Sequence, residues 1–162
     1  MPDSAEDIKT KYPLVSWAFR VTVMSGAGHA SAVWGFREVS GLEIAYDNQV
    51  YRDGLSYVAG ATVLRGIAQP VNITLKRGII ADRTELMDWM QEQGGVRSAE
   101  KRKRDLLISQ LSTSGDPVLN WKVIGAEPVK LTGPDFKADD TNGVSIEALA
   151  LVAERLKLVK NQ

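Results

Sequence analysis

Apolar and polar residues alternate over several short windows of this chain, and only once do they recur at the three- and four-residue spacing of a surface helix. From Trp17 to Met24, Trp17, Phe19, Val21 and Val23 fall on one face of an extended chain and Ala18, Arg20, Thr22 and Met24 on the other, which predicts a half-buried strand. Val33 to Val39 has the aromatic and β-branched content of a second strand, ended by Ser40-Gly41. Alternation returns over Val71 to Arg77, and Leu106 to Leu111, Val118 to Ile124 and Glu127 to Leu131 predict further strands, the last two separated and bounded by Pro117, Pro128 and Pro134. The helix follows Asp82, three residues before Glu85 in an Asp-x-x-Glu start signal. Leu86, Trp89 and Met90 supply a narrow apolar stripe, Asp88, Gln91 and Glu92 face water, and Gly94-Gly95 stops it. Val144 to Leu158 fits a strand through Val144, Ile146, Ala148, Ala150 and Val152, and a helix through Ile146, Leu149, Ala150 and Ala153. With about seven or eight strands against one helix, the prediction is a mainly β fold, a small barrel or sandwich of two sheets with one packed α-helix, in which the last segment is a long strand.

Two stretches fit neither period. Leu42 to Arg52 reads as two short strand-like pieces flanking Asp47-Asn48, a turn-forming pair, while Gly54 to Gln69 carries a single charge, Arg65, and mixes Gly, Ala and apolar residues. That segment is too apolar for an ordinary surface loop. The first residues, 1–11, form a polar leader, and Tyr12-Pro13 marks entry into extended chain, so one domain over 12–159 is expected.

Composition narrows the classes. A chain of 162 residues can bury a core without covalent staples, and with no cysteine it has neither disulfides nor thiolate-ligated metal. Twenty Lys and Arg balance twenty Asp and Glu, which gives no long-range attraction to nucleic acid or anionic membrane and removes the repulsion between identical copies. Acidic residues stand where a signal peptide needs a basic flank, and the longest uncharged run, between Arg20 and Arg37, is broken by Ser25, Gly26, Gly28 and Ser31. No membrane anchor and assembly in a cytosol are therefore expected.

Candidate chemistry is sparse. His29, the only histidine, sits in a Gly/Ala/Ser loop with no carboxylate nearby to orient it and no second histidine to share a metal, so a catalytic or ligand role lacks its constellation. Gly26 to Ser31 lacks the third glycine and the following helix of a dinucleotide loop. Asp135, Asp139 and Asp140 cluster after Gly133-Pro134 in a solvated loop without the spacing of a calcium site. Between Arg97 and Asp105 five basic residues outnumber two acids, yet no aromatic residues are interleaved for stacking on bases. A solvated linker or a subunit contact is the better reading than a small nucleic-acid-binding barrel. No cofactor and no enzymatic activity are expected. Val71 to Lys76 and Leu106 to Leu111 carry no proline or bulge glycine to blunt a sheet edge, which favours a subunit that completes its sheet with copies of itself.

The order of blocks then resembles a known family. FREVSGLE at Phe36 to Glu43, YRDG at Tyr51 to Gly54, NITLKRGI at Asn72 to Ile79, the Leu86/Trp89 helix, RDLLISQL at Arg104 to Leu111, WKVIGAEPVKLTGPDF at Trp121 to Phe136 and IEALALVAERL at Ile146 to Leu156 are similar in sequence order to the inner tube proteins of contractile phage tails and of extracellular contractile injection systems of the anti-feeding prophage and Photorhabdus virulence cassette type. The resemblance covers about Tyr12 to Lys157. It implies hexameric rings that stack into a hollow tube, which a contracting sheath drives through a target envelope. The implied partners are other copies, the sheath, baseplate or spike and tube-terminating proteins, and a cargo in the lumen, in a particle released from the cell. A tube-like adaptor at the baseplate and a secreted type VI-like ring protein are the alternatives of the same architecture. The excursion from about Leu42 to Gly66 would be the hairpin and loop that reach neighbouring subunits, with Tyr51, Leu55, Tyr57, Val58, Val63, Leu64 and Ile67 as the expected interface residues. The resemblance also favours a strand at Val144 to Leu158.

Overall fold

A computed structural model describes residues 12–24, 31–92 and 102–160; the leader 1–11, the glycine-rich loop with His29, the Gly94-Gly95 stop and Arg97 to Lys101 lie outside them. Among the described residues ten strands and two helices follow one another: β1 Phe19–Met24, β2 Ala32–Trp34, β3 Glu38–Ser40, β4 Gln49–Tyr51, α1 Ser56–Ala59, β5 Thr62–Leu64, β6 Val71–Gly78, α2 Glu85–Gln91, β7 Arg104–Leu111, β8 Pro117–Thr132, β9 Ile146–Ala153 and β10 Arg155–Lys160. All pairings are antiparallel. One path of neighbours runs β2-β1-β7-β8-β9-β6-β3, with β10 also on β8, while β4 and β5 pair only with each other.

β8 joins two layers. Its first half pairs with β7 and β10, its second half with β9, so the layer β2-β1-β7-β8-β10 and the layer β8-β9-β6-β3 share this 16-residue strand. The sequence predicted two strands split at proline, yet Pro128 sits within one continuous strand at a register shift between Pro128 and Lys130, where the ladder tolerates a missing N–H. The turn between layers is made earlier. Gly125 has φ 66°, and a Cβ there would meet the Glu154 carboxyl at 2.9 Å; opposite it, Glu154 interrupts β9 and β10 while its N–H donates to the Ile124 carbonyl at 3.0 Å. The long C-terminal segment is thus a strand in two pieces, bent with β8 so that it serves both layers.

Inward positions fill the space between them. Val21 and Val23 of β1, Val71, Ile73 and Leu75 of β6, Leu106 and Ile108 of β7 and Val123 of β8 are buried at period-two spacing, whereas in β9 the buried residues are Leu149, Leu151 and Ala153, the face opposite the Val144, Ile146, Ala148, Ala150 and Val152 alternation read from the sequence, because the larger leucines fill the core. Trp17 does not join them: the strand begins at Phe19, and Trp17 is 72% exposed. The predicted strand Val33 to Val39 is two pieces, β2 and β3, with Gly35 between them and one in each layer. β6 and β7, expected as open edges, are interior strands between β3 and β9 and between β1 and β8; the ends of the path are β2 and β3, which are only three residues long.

α2 closes the core. Leu86 and Trp89 are fully buried, and the Trp89 ring meets Trp34 edge-on at 6.2 Å while its Nε1–H donates to the Arg102 carbonyl at 2.7 Å. The helix starts two residues after the predicted point. Asp82 lies in a turn in which the Arg83 N–H donates to the Ile80 carbonyl, and Thr84 precedes the first turn with its hydroxyl donating to Asp88 at 3.1 Å. A buried cation ties the helix to the barrel: Arg77 donates from Nε to Glu147 at 2.6 Å, from Nη1 to Glu85 at 3.1 Å and from Nη2 to the Arg83 carbonyl at 2.9 Å.

Candidate assembly interface

Between Trp34 and Val71 no residue belongs to the buried core. The chain leaves the barrel at Gly41, whose φ of 88° lets its Cα lie against the Asn72 carbonyl where a Cβ would come to 2.0 Å. It then runs out and back as one long arm. Tyr46 bridges Ala68, the Gln69 N–H donates to the Ala45 carbonyl and the Asp47 N–H to the Ile67 carbonyl, both at 2.9 Å, and farther out Gln49, Val50 and Tyr51 face Leu64, Val63 and Thr62. Asp47-Asn48 therefore lies on the outgoing limb, between the Tyr46 bridge and β4, and does not turn the chain back, contrary to the sequence reading. Gly66 explains why the strands can close at that point: a Cβ there would stand 1.6 Å from the Asp47 carbonyl oxygen.

The tip is α1, which the sequence reading missed. Asp53 prepares it: its carboxylate accepts from the Leu55 N–H at 2.9 Å and from the Ser56 hydroxyl at 3.3 Å, while the Ser56 Oγ accepts from the Asp53 N–H at 2.8 Å. Gly60, at φ 84°, donates its N–H to the Ser56 carbonyl and turns the chain back. The signal was present as Asp53-Gly54 ahead of Ser56, a side-chain-supported turn, with Gly60 to end the helix. On the stem the Arg65 guanidinium lies 3.6 Å from the Tyr46 ring centroid, a cation–π contact that holds the two strands together from their side chains.

All seven residues expected at an interface lie on this arm and are open to solvent: Tyr51, Leu55, Tyr57, Val58, Val63, Leu64 and Ile67, with Tyr57 at 86% and Ile67 at 84%. Ile44, Tyr46 and Val50 add to them, so that ten of the 23 large apolar side chains exposed among the described residues fall between positions 44 and 67. A two-strand ribbon of this size is marginal in water, and it buries none of its apolar faces against its own barrel.

Nothing else gathers chemistry. Among the described residues no group of three or more His, Asp or Glu could hold a metal ion, and no helix is long and apolar enough to cross a membrane. The basic run is neutralised within the molecule where it is described: Arg102 pairs with Glu127 at 3.3 Å, Lys103 with Glu154, and Arg104 with Glu92 at 3.0 Å while lying over the Trp89 ring. The hydrogen bond and charge of Lys103 hold the Glu154 carboxyl below the usual carboxylate range. These three pairs tie Arg102, Lys103 and Arg104 to acidic partners of the same chain.

A β sandwich with ten exposed apolar side chains gathered on one projecting arm has the build of a structural subunit that packs against other chains. The chain belongs to the T4-like virus tail tube protein gp19 family, whose model matches residues 15–157. It is similar to a chain of the PVC sheath–tube complex of an extracellular contractile injection system in the extended state, with 31% identity over 98% of this chain and 99% of that one and a TM-score of 0.83. It is also similar to a chain of the anti-feeding prophage tube-terminating cap, with 28% identity over 99% and 100% of the two chains and a TM-score of 0.78. Hcp1 from Flavobacterium johnsoniae shares the fold at 14% identity, covering 89% of this chain and 96% of its own, with a TM-score of 0.50. No curated protein matches the chain in sequence.

Proposed function

We propose that this tube protein assembles as hexameric rings that stack into the inner tube of a contractile injection system, and that the arm from Ile44 to Ile67 makes the contacts between subunits and rings. The observation that carries this reading is the arm itself, ten exposed apolar side chains on a ribbon with no core residue of its own. Such a ribbon gains its burial from another molecule, at about 25 cal/mol per Å² of apolar area covered. The role is mechanical and needs no catalytic group. Barrel and arm act as one domain over 12–159, with the sheath, baseplate and terminating proteins as partners and the lumen open to cargo. Assembly takes place in the cytosol before the particle leaves the cell.

Replacing Leu64 and Ile67 together by Asp tests this. Both side chains are exposed, at 54% and 84%, so the variant keeps its melting temperature within a few degrees, and negative-stain images of it show no tubes. Normal tubes from that variant would remove the arm from the interface. The likeness to the tube-terminating cap supports a second reading, a ring that ends the tube instead of repeating along it. Tubes of indefinite length from the purified wild-type chain favour the repeating subunit; single rings that cap preformed tubes favour the other.

A further inference from the structure

We propose that the outward face of the layer β2-β1-β7-β8-β10 is a docking surface for an acidic polypeptide. The strand registers place its side chains. Val21 and Val23, Leu106 and Ile108, Val123 and Leu156 point into the core, so their neighbours along each strand point away from it. One outward row crosses all five strands as Val33, Thr22, Leu107, Lys122 and Lys157, and the next reads Arg20, Ser109, Asn120 and Val159. Arg155 of β10 and Asp105 of β7 follow on the other side of the first row. The charged side chains of this face are therefore Arg20, Lys122, Arg155 and Lys157 against Asp105, a balance of +3 in a chain whose total is zero.

Lys122 and Lys157 stand directly opposite each other on paired strands, an arrangement that weakens a sheet. Elsewhere the same chain sets an acid against a strand lysine: Lys76 faces Glu38 and pairs with it at 3.0 Å. The acids nearest the lysine pair are engaged. Asp105 accepts the Gly125 N–H at 3.0 Å, Glu154 is held by Lys103 with the charge of Arg155 also acting on it, and Asp116, in the β7–β8 turn, accepts from the Ser114 hydroxyl at 3.0 Å. Among the described residues no ion pair holds Arg20, Lys122 or Lys157. The sheet thus carries a local electrostatic cost that an incoming anion relieves. Between the cations the face offers Thr22, Leu107, Ser109, Asn120, Val159 and Val33, with no aromatic ring on which bases stack and no projecting element to enter a groove, which disfavours nucleic acid. Carboxylates three or four residues apart on a helix stand about 5–6 Å apart, close to the roughly 5 Å between facing residues of neighbouring strands. Three strand spacings, about 14 Å, separate Lys157 from Arg20, so one acidic segment lying across the strands meets all three cations. The arm leaves from β3 in the other layer, and docking here is independent of its contacts.

Fluorescence anisotropy of the purified full-length chain with a short poly-L-glutamate peptide tests this, beside a single-stranded oligonucleotide of equal charge. Wild type is expected to bind the peptide more tightly than the oligonucleotide, with affinity falling as salt rises. Lys122→Gln/Lys157→Gln should weaken the peptide about tenfold or more at low salt, whereas the charge-matched control Lys130→Gln/Lys137→Gln, exposed and off this face, should change it less than about twofold. No binding by wild type, or an equal loss in both double variants, would overturn the proposal. Tighter binding of the oligonucleotide, or self-association that only Lys122→Gln/Lys157→Gln abolishes, would overturn it too, by giving the face to a nucleic acid or to a second copy. The lysine pair itself supplies a second measurement. Lys157→Gln relieves the like-charge opposition, so it should melt no lower than wild type at low salt, and a clear fall would show that the pair serves the fold and not a partner.

Discussion

Arg77 is the residue on which the attachment of α2 to the barrel turns. Its side chain is 6% exposed and meets Glu147, at 15%, Glu85, at 40%, and a backbone carbonyl, so each guanidinium nitrogen has an acceptor. Arg77→Met removes the cation and leaves the Glu147 carboxylate largely buried without it. We expect a loss of about 3 kcal/mol, toward the low end for breaking a buried pair because Glu85 stays partly wet, seen as a lower urea midpoint. Acid acts on the same network. Burial pushes the Glu85 carboxyl up, but a hydrogen bond from its own backbone N–H, the hydrogen bond and charge of Arg77 and the charge of Arg83 outweigh that and hold it below its ordinary value of about 4.5. A carboxyl depressed in the folded state contributes stability above its unfolded pKa, and that contribution is lost as pH falls through the folded value. The melting temperature of wild type should therefore exceed that of Glu85→Gln at neutral pH, and the gap should shrink below about pH 4.5. A gap that stays constant into acid would separate Glu85 from the stability of the helix.

The arm is the element whose conformation depends least on the barrel and most on its own backbone. Gly66 is its tightest point, and Gly66→Ala would drive a methyl into the Asp47 carbonyl, splaying the stem between Asp47 and Ile67. Because no core residue lies between Trp34 and Val71, the cooperative unfolding transition should move by less than about 1 kcal/mol while tube formation is lost. An equally large fall in melting temperature would mean that the arm supports the barrel after all. The same contrast explains what the sequence disclosed. The period-two runs of β1 and β6 were legible because each has one face against the core, and the Leu86/Trp89 stripe of α2 was legible for the same reason, whereas in β9 both faces are apolar and the sequence reading chose the outer one. The arm buries no face, so neither period marks it, and the pairing of Gln49–Tyr51 with Thr62–Leu64 was hidden behind a turn signal at Asp47-Asn48. Its apolar composition set it apart from an ordinary surface loop without showing its shape. β8 was misread in the opposite sense: Pro128 signals a break locally, whereas the shared position of the strand between two layers carries it through.

At the scale of the whole molecule the decisive property is that its two ends differ. One bears the arm with Leu55, Tyr57 and Val58 at its tip, the other Phe136 and Val144 around an acidic cavity, and β6 runs between them. If the arm of one copy meets the opposite end of the next, a variant lacking one of the two surfaces cannot propagate with itself but still offers the other. Leu64→Asp/Ile67→Asp keeps the end with Phe136 and Val144, and Phe136→Asp/Val144→Asp keeps the arm. Each alone should remain at the size of a single unit, monomer or ring, by mass photometry. An equal mixture should form a species of twice that mass and go no further, because one complementary contact exists and both outer faces of the product are disabled. An arm-to-arm contact would behave differently, since the first variant would be inert toward the second and the second would associate with itself. The mixture thus distinguishes an open head-to-tail stack from a closed symmetric pairing without requiring full-length tubes. The head-to-tail outcome is the one expected of unlike ends, because only a contact between two different surfaces extends as an open stack.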